Sequence, residues 1–248
     1  MELPSLDSNK IALLLDVDGT LIDIKPSPSE VHVSAELRDL LQRLSRQLGG
    51  ALALVSGRPI VDIDRLFAPL ELPTIGGHGA ETRLRAGETV YGASPLPHDM
   101  RRQLAGAAKP GSGIVVEDKG YSLALHYRNV PQHEEHLRAS IDAERAAFPG
   151  EATEVQSGKF VFEVKRPGVS KGQAVRTLMT NPPFAGRRPV FIGDDVTDES
   201  VFAMLPELRG VGFSVGRHFA GLAGIFESPA EVRRALKQLA ARAQGAPA

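Results

Sequence analysis

Apolar residues run along this chain in two rhythms. Residues 11–15, Ile-Ala-Leu-Leu-Leu, are an unbroken apolar run that ends in acidic residues. That is the pattern of a strand buried on both faces of a parallel sheet. From Ser34 the spacing becomes helical: Leu37, Leu40, Leu41, Leu44 and Leu48 share one face, and Gly49-Gly50 stops it. Residues 51–55 read as a second buried strand ending in Ser56-Gly57-Arg58. Pro59 suits the first turn of a helix whose inner face carries Ile60, Ile63, Leu66 and Phe67. Ile75 then leads into the turn Gly76-Gly77-His78-Gly79. The same rhythm returns late in the chain. Residues 189–192 form a strand before Gly193-Asp194-Asp195, residues 211–215 form another, and Ser228-Pro229-Ala230-Glu231 is a capping box for the last helix.

This alternation predicts an α/β protein with a doubly wound, mostly parallel, Rossmann-like sheet as its core. Between the halves, over residues 84–165, the pattern changes. A helix near 97–108 precedes a hairpin of 114–117 and 122–127, and a helix near 131–148 precedes a hairpin of 153–156 and 160–164. Two helix-plus-hairpin units predict an inserted α+β domain with a small antiparallel sheet. Residues 1–83 and 166–248 then make up the core.

Composition narrows the chemistry. Of 248 residues, 42% are hydrophobic and 24% charged, which is ordinary globular usage. Lys plus Arg is 29 against 30 for Asp plus Glu, a net charge of -1, so no long-range attraction to nucleic acid or anionic lipid is expected. Arg233, Arg234, Lys237 and Arg242 read as the solvated face of the last helix. Without cysteine, disulfides and thiolate chemistry are excluded. There is no basic n-region, and the apolar run at 11–15 is too short to cross a bilayer. The expectation is a cytoplasmic protein without membrane, nucleic-acid or obligate protein partners.

In parallel α/β sheets, ligands collect at the carboxyl ends of strands. Four such ends here carry polar groups: Asp16 with Asp18, Ser56, His78, and Asp194 with Asp195. Each alone could be a turn or cap residue. Four on one sheet point to a site. Two like charges at about 4 Å repel by roughly 4 kcal/mol at an effective dielectric of 20. A cluster of Asp16, Asp18, Asp194 and Asp195 therefore calls for a cation, and all-oxygen ligands with open positions suit Mg²⁺. Lys171, directly after Ser170 at a helix start, opposes the helix dipole at a cost of a few tenths of a kcal/mol. A phosphate partner explains that placement better than solvent does.

Asp16-Val17-Asp18-Gly19-Thr20-Leu21 after an apolar strand resembles the nucleophile motif of the haloacid dehalogenase superfamily of phosphatases. Ser56-Gly57-Arg58 is similar to its second motif, Lys171 to its third, and Gly193-Asp194-Asp195-Val196-Thr197-Asp198-Glu199 to its fourth. The resemblance covers nearly the whole chain and implies roles. Asp16 would attack phosphorus to give an aspartyl phosphate. Asp18 would protonate the leaving oxygen and then activate water. Mg²⁺ would be held by Asp16, the backbone carbonyl of Asp18, and Asp194, with Asp195 close by. Ser56, Gly57 and Lys171 would bind phosphate oxygens. Asp198 would orient Lys171 or cap a helix.

An insert between the second and third motifs resembles the α/β cap that closes over the site in one branch of this superfamily. Within that branch the chain is most similar to the trehalose-6-phosphate phosphatases. The similar segments are Ser56-Gly57-Arg58, Gly77-His78-Gly79-Ala80-Glu81, Glu117-Asp118-Lys119-Gly120-Tyr121-Ser122, Leu125-His126-Tyr127-Arg128 and Glu163-Val164-Lys165-Arg166-Pro167-Gly168. The resemblance implies that Glu117, Lys119 and Glu163 contact sugar hydroxyls, and that Arg58 and His78 contact the substrate, a small sugar phosphate. On the residues alone, Glu117 and Lys119 also suit a cross-turn ion pair, and His126 and Arg128 the polar face of a strand. Phosphatases of sucrose 6-phosphate or mannosyl-3-phosphoglycerate, and phosphohexomutases, share the four motifs. A sugar-phosphate sensor could dispense with Asp16 or Asp18; this chain keeps both.

Overall fold

The computed structural model describes residues 3, 10–24, 31–85, 88–109, 111–158 and 160–242. The chain divides into two compact units, one of Met1–Val90 with Ser170–Ala248 and one of Tyr91–Val169.

In the first unit, β1 (Ile11–Asp16) is buried at every position, as its apolar run requires. Helix α1 (Ala35–Gln47) starts where Leu37 N donates to Ser34 Oγ at 3.2 Å, and buries Leu37, Leu40, Leu41 and Leu44. After β2 (Leu52–Val55), α2 (Ile60–Phe67) begins at Pro59, which offers no side-chain cap. Glu81 supplies one instead, accepting from Ile60 N at 2.6 Å. This gives the Glu81 of the glycine-rich segment a structural duty. Next come β3 (Thr74–Gly76), β4 (Glu81–Arg85) and β5 (Glu88–Tyr91).

The second unit contains α3 (His98–Gly106), β6 (Val115–Asp118), β7 (Ser122–His126), α4 (Glu134–Ala146), β8 (Glu154–Gly158) and β9 (Val161–Lys165). Its strands form an antiparallel sheet in the order β6-β7-β9-β8. Met100, Leu104, Leu137 and Ile141 of the helices form one buried cluster with Leu123, Leu125, Phe162 and Val164 of the strands. Side chains alternate along a strand, so the residues between these lie on the opposite face. The register aligns Glu117, Ala124, Glu163 and Gln156 in one row on that face.

The first unit resumes with α5 (Lys171–Leu178), β10 (Arg188–Gly193), α6 (Glu199–Met204), β11 (Val211–Val215), β12 (Gly224–Phe226) and α7 (Pro229–Arg242). Its sheet runs β12-β11-β10-β1-β2-β3-β4-β5, parallel from β12 to β3 with β4 antiparallel to β3. From β1 the chain builds outward through β2 on one side and later through β10 on the other. The carboxyl ends of β1 and β10 are therefore a topological switch point, where α/β sheets bind ligands.

The α/β expectation holds, with one shift. Pairing of Ile75 with Thr82 ties β4, and β5 beyond it, to the core sheet, so the second unit begins at residue 91 rather than 84. Among the described residues, no helix is long and apolar enough to cross a membrane.

Candidate active site

β1 delivers Asp16 to the switch point with 4% of its surface exposed. Across the sheet, α5 starts at Lys171, whose side chain is likewise buried. Lys171 Nζ donates to Asp16 Oδ1 and to Asp198 Oδ1, both at 2.7 Å. The ammonium that looked misplaced at a helix start thus has two carboxylate partners. Asp198, wholly buried, uses its other oxygen to accept from the backbone N–H groups of Asp194 and Asp195, at 2.9 and 3.0 Å. It orients the lysine and braces the turn after β10 at once. Asp195 Oδ1 accepts from Val196 N at 2.7 Å, and the residue is exposed, so it serves as a cap beside the cluster.

Asp194 follows β10 and takes a hydrogen bond from Thr20 Oγ1 at 3.1 Å. Gly19, at φ +78°, lies so close to Asp194 that any Cβ there would collide with its carboxylate. That is a physical reason for glycine in the first motif. Thr20 was not singled out from the sequence. Its partner is 174 positions away, and no local pattern carries such a bond.

Asp18 turns away from the cluster. Arg58 Nε and Nη2 grip its two carboxylate oxygens, each at 2.6 Å. This is the bidentate geometry that arginine offers a carboxylate. Ser56, at the end of β2 and 1% exposed, accepts from Arg58 N through Oγ at 3.1 Å, which leaves its hydroxyl proton to donate elsewhere. His78 adopts the left-handed region at φ 55°, and its ring covers Gly57 so closely that a Cβ there would strike the imidazole. The Ser56-Gly57-Arg58 and Gly77-His78-Gly79 turns are thereby interlocked. Gly77 N also donates to Arg58 O at 2.9 Å.

Asp16, Asp194 and Asp198 each offer an oxygen, all within 4.8 Å of one another. The carboxylate of Asp18 is not in that group. Burial pushes the Asp16 carboxyl well above its usual range, and the charges of Asp198 and Asp194 add to this against the pull of Lys171. Burial is also the main reason that Asp194 is pushed up to about 6. Burial alone would lower the Lys171 ammonium, but Asp16 and Asp198 outweigh it and hold the group protonated. Carboxylate oxygens this close repel one another, and an all-oxygen donor set of this kind fits a hard divalent cation such as Mg²⁺.

On the polar face of the second unit's sheet, Glu163 Oε1 accepts from Ser122 Oγ at 2.6 Å and lies 3.4 Å from Lys119 Nζ. Lys119 Nζ is also 3.8 Å from Glu117 Oε2, and His126 Nε2 pairs with the same oxygen at 3.2 Å. The His126 hydrogen bond is the main reason that the Glu117 carboxyl sits below its usual range. Glu117, Lys119, Glu163 and His126 thus form one network rather than a lone cross-turn pair. Arg128 is exposed at the strand's end. Arg166 instead ties backbone together, donating to the carbonyls of Ser94, Pro95 and Ala152.

This fold, with its buried Asp16–Lys171–Asp198 chain beside Asp194 at the switch point, defines a protein of the haloacid dehalogenase type. The chain belongs to the trehalose-phosphatase family, whose model matches residues 14–220. It is 42% identical over 217 residues to the trehalose-6-phosphate phosphatase of Escherichia coli K12, covering 87% of this chain and 80% of that one. It is 40% identical over 214 residues to a probable trehalose-phosphate phosphatase of Sinorhizobium fredii, covering 86% and 80%. A crystal structure of a trehalose-6-phosphate phosphatase related protein superposes with a TM-score of 0.72 at 25% identity, over 94% of this chain and 98% of that one. The C-terminal domain of the Candida albicans trehalose-6-phosphate phosphatase shares the fold, with a TM-score of 0.77 at 21% identity over 96% and 98%.

Proposed function

We propose that the protein hydrolyses trehalose 6-phosphate to trehalose and inorganic phosphate through an aspartyl phosphate at Asp16. One observation carries this reading: a buried lysine bonded at 2.7 Å to both Asp16 and Asp198, in a chain of the trehalose-phosphatase family. Asp16 attacks phosphorus while the bond to the sugar oxygen breaks, and Asp18 gives that oxygen a proton. Asp18 then takes a proton from water as the water attacks the aspartyl phosphate, which restores Asp16. Lys171, the Ser56 hydroxyl and the Gly57 N–H stabilise charge on the phosphate oxygens. Mg²⁺, held by Asp16, Asp194 and the backbone carbonyl of Asp18, would neutralise further phosphate charge. Asp198 braces the turn that carries Asp194, and Asp195 caps that turn beside the cluster.

The Arg58–Asp18 pair sets a condition on this scheme. A carboxylate whose two oxygens both accept from a guanidinium has no proton to give. Arg58 must therefore exchange Asp18 for an oxygen of the substrate, which agrees with its reading as a substrate contact. His78, interlocked with Gly57, takes the same side of the site.

Glu117, Lys119 and Glu163 supply the sugar recognition. Charged hydrogen bonds of roughly 1.5–3 kcal/mol each suit a disaccharide with many hydroxyls. Replacing Lys119 or Glu163 by Ala is expected to cut kcat/KM for trehalose 6-phosphate by about 10²-fold, roughly 2.7 kcal/mol. A small aryl phosphate, which has no sugar to be read, should lose far less. Equal losses on both substrates would make these side chains supports of the sheet and remove them from recognition.

A further inference from the structure

Within the network on the second unit's sheet, the lysine's ion pairs are long and one hydroxyl–carboxylate contact is short. Lys119 Nζ stands 3.4 Å from Glu163 and 3.8 Å from Glu117. Charge-assisted N–H···O bonds usually measure about 2.7–2.9 Å. The Ser122 hydroxyl reaches Glu163 Oε1 at 2.6 Å, inside the short range for a hydroxyl on a carboxylate. Ser122 lies opposite Lys165 and Ala124 opposite Glu163, so the hydroxyl reaches diagonally across the β7–β9 pair. Both residues are buried, with Ser122 5% and Glu163 9% exposed. Of these two contacts on Glu163, the serine's is the shorter by far.

Ser122 has a second hold on the same group. Its backbone carbonyl accepts from Lys119 N at 3.0 Å and closes the turn between β6 and β7. Gly120 completes that turn at φ +78°, and its N–H donates to Asp118 Oδ1 at 2.8 Å. One small residue thus anchors Glu163 through its hydroxyl and Lys119 through its carbonyl.

We propose that Ser122 is a positioning residue for sugar recognition: its hydroxyl holds Glu163 in one rotamer, so the carboxylate meets a sugar hydroxyl already oriented. This inference rests on the reading of the Glu117–Lys119–Glu163 network as the sugar-binding face. An unheld glutamate must give up its rotamer freedom when ligand binds, and preorganisation removes that cost from the binding step. The effect falls on affinity, because Ser122 touches no reacting atom.

Ser122→Ala is expected to raise KM for trehalose 6-phosphate about five- to tenfold with kcat within about twofold, and to shift a small aryl phosphate at least fivefold less. Ser122→Thr keeps a hydroxyl on a strand-compatible side chain and should recover most of the KM. A double-mutant cycle covers the case in which Ser122→Thr does not fold. On the Glu163→Ala background, where the hydroxyl has lost its acceptor, Ser122→Ala should add little. Full additivity, or equal losses on both substrates with a matching fall in Tm, would overturn the proposal. If the unmutated protein prefers trehalose 6-phosphate and Glu163→Gln loses that preference while Ser122→Ala keeps it, only this inference falls. If the unmutated protein shows no preference, the sugar reading falls and takes this inference with it.

Discussion

Asp16→Asn is expected to lower kcat for trehalose 6-phosphate by at least about 10³-fold, roughly 4 kcal/mol of barrier, while the fold stands. An amide nearly matches the carboxylate in shape but cannot form the acyl phosphate. The fold survives for an electrostatic reason. Asp16, Asp194 and Asp198 crowd one another, and burial already pushes the Asp16 carboxyl above its usual range. Removing that negative charge relieves repulsion, and Lys171 keeps Asp198 at 2.7 Å. Tm should therefore be unchanged or higher, and substrate binding should persist. Rapid-quench phosphate release together with a thermal melt checks both parts. Retention of more than about a tenth of wild-type turnover, a loss of only about 1.4 kcal/mol, would exclude Asp16 as the nucleophile.

Removal of divalent metal is expected to have an effect of similar size. EDTA should stop phosphate release, and Mg²⁺ should restore it. The ground is the cluster of Asp16, Asp194 and Asp198 oxygens within 4.8 Å of one another, whose mutual repulsion a divalent cation would offset. Ca²⁺ should restore activity poorly, since its looser coordination at about 2.3–2.6 Å misplaces a carboxylate set for about 2.0–2.1 Å. A titration of activity against free Mg²⁺ after exhaustive chelation is the measurement. Full activity in the metal-free sample would remove Asp194 from the ligand set.

The core of this fold is legible in the sequence because buried parallel strands leave unbroken apolar runs. Residues 11–15 and 51–55 show it, as does the leucine spacing of α1. β12 escapes because three residues, Gly224–Phe226, carry no period. The start of the insert is missed because the sheet that claims β4 and β5 is decided by pairing with β3, not by the composition of the hairpin. The site divides in the same way. Motif residues such as Asp16, Ser56 and Lys171 stand at strand ends and a helix start, where their chemistry is conspicuous. The contacts that explain them link distant positions: Arg58 to Asp18 over 40 residues, and Ser122 to Glu163 over 41. Asp198 is the instructive case: the resemblance implied a lysine partner or a helix cap, and the carboxylate bonds Lys171 through one oxygen while the other braces the turn after β10, a contact no sequence pattern announced.

The central claim, that this chain is a phosphatase for trehalose 6-phosphate, is tested most directly by initial rates of phosphate release from the unmutated protein. Trehalose 6-phosphate, sucrose 6-phosphate, glucose 6-phosphate and mannosyl-3-phosphoglycerate should be compared at equal, subsaturating concentration in Mg²⁺. The account expects trehalose 6-phosphate to lead by at least about tenfold in kcat/KM, the equivalent of about 1.4 kcal/mol of differential recognition. A higher kcat/KM for sucrose 6-phosphate or mannosyl-3-phosphoglycerate would contradict the trehalose assignment and leave the phosphatase chemistry in place. No phosphate release from any of the four would contradict both.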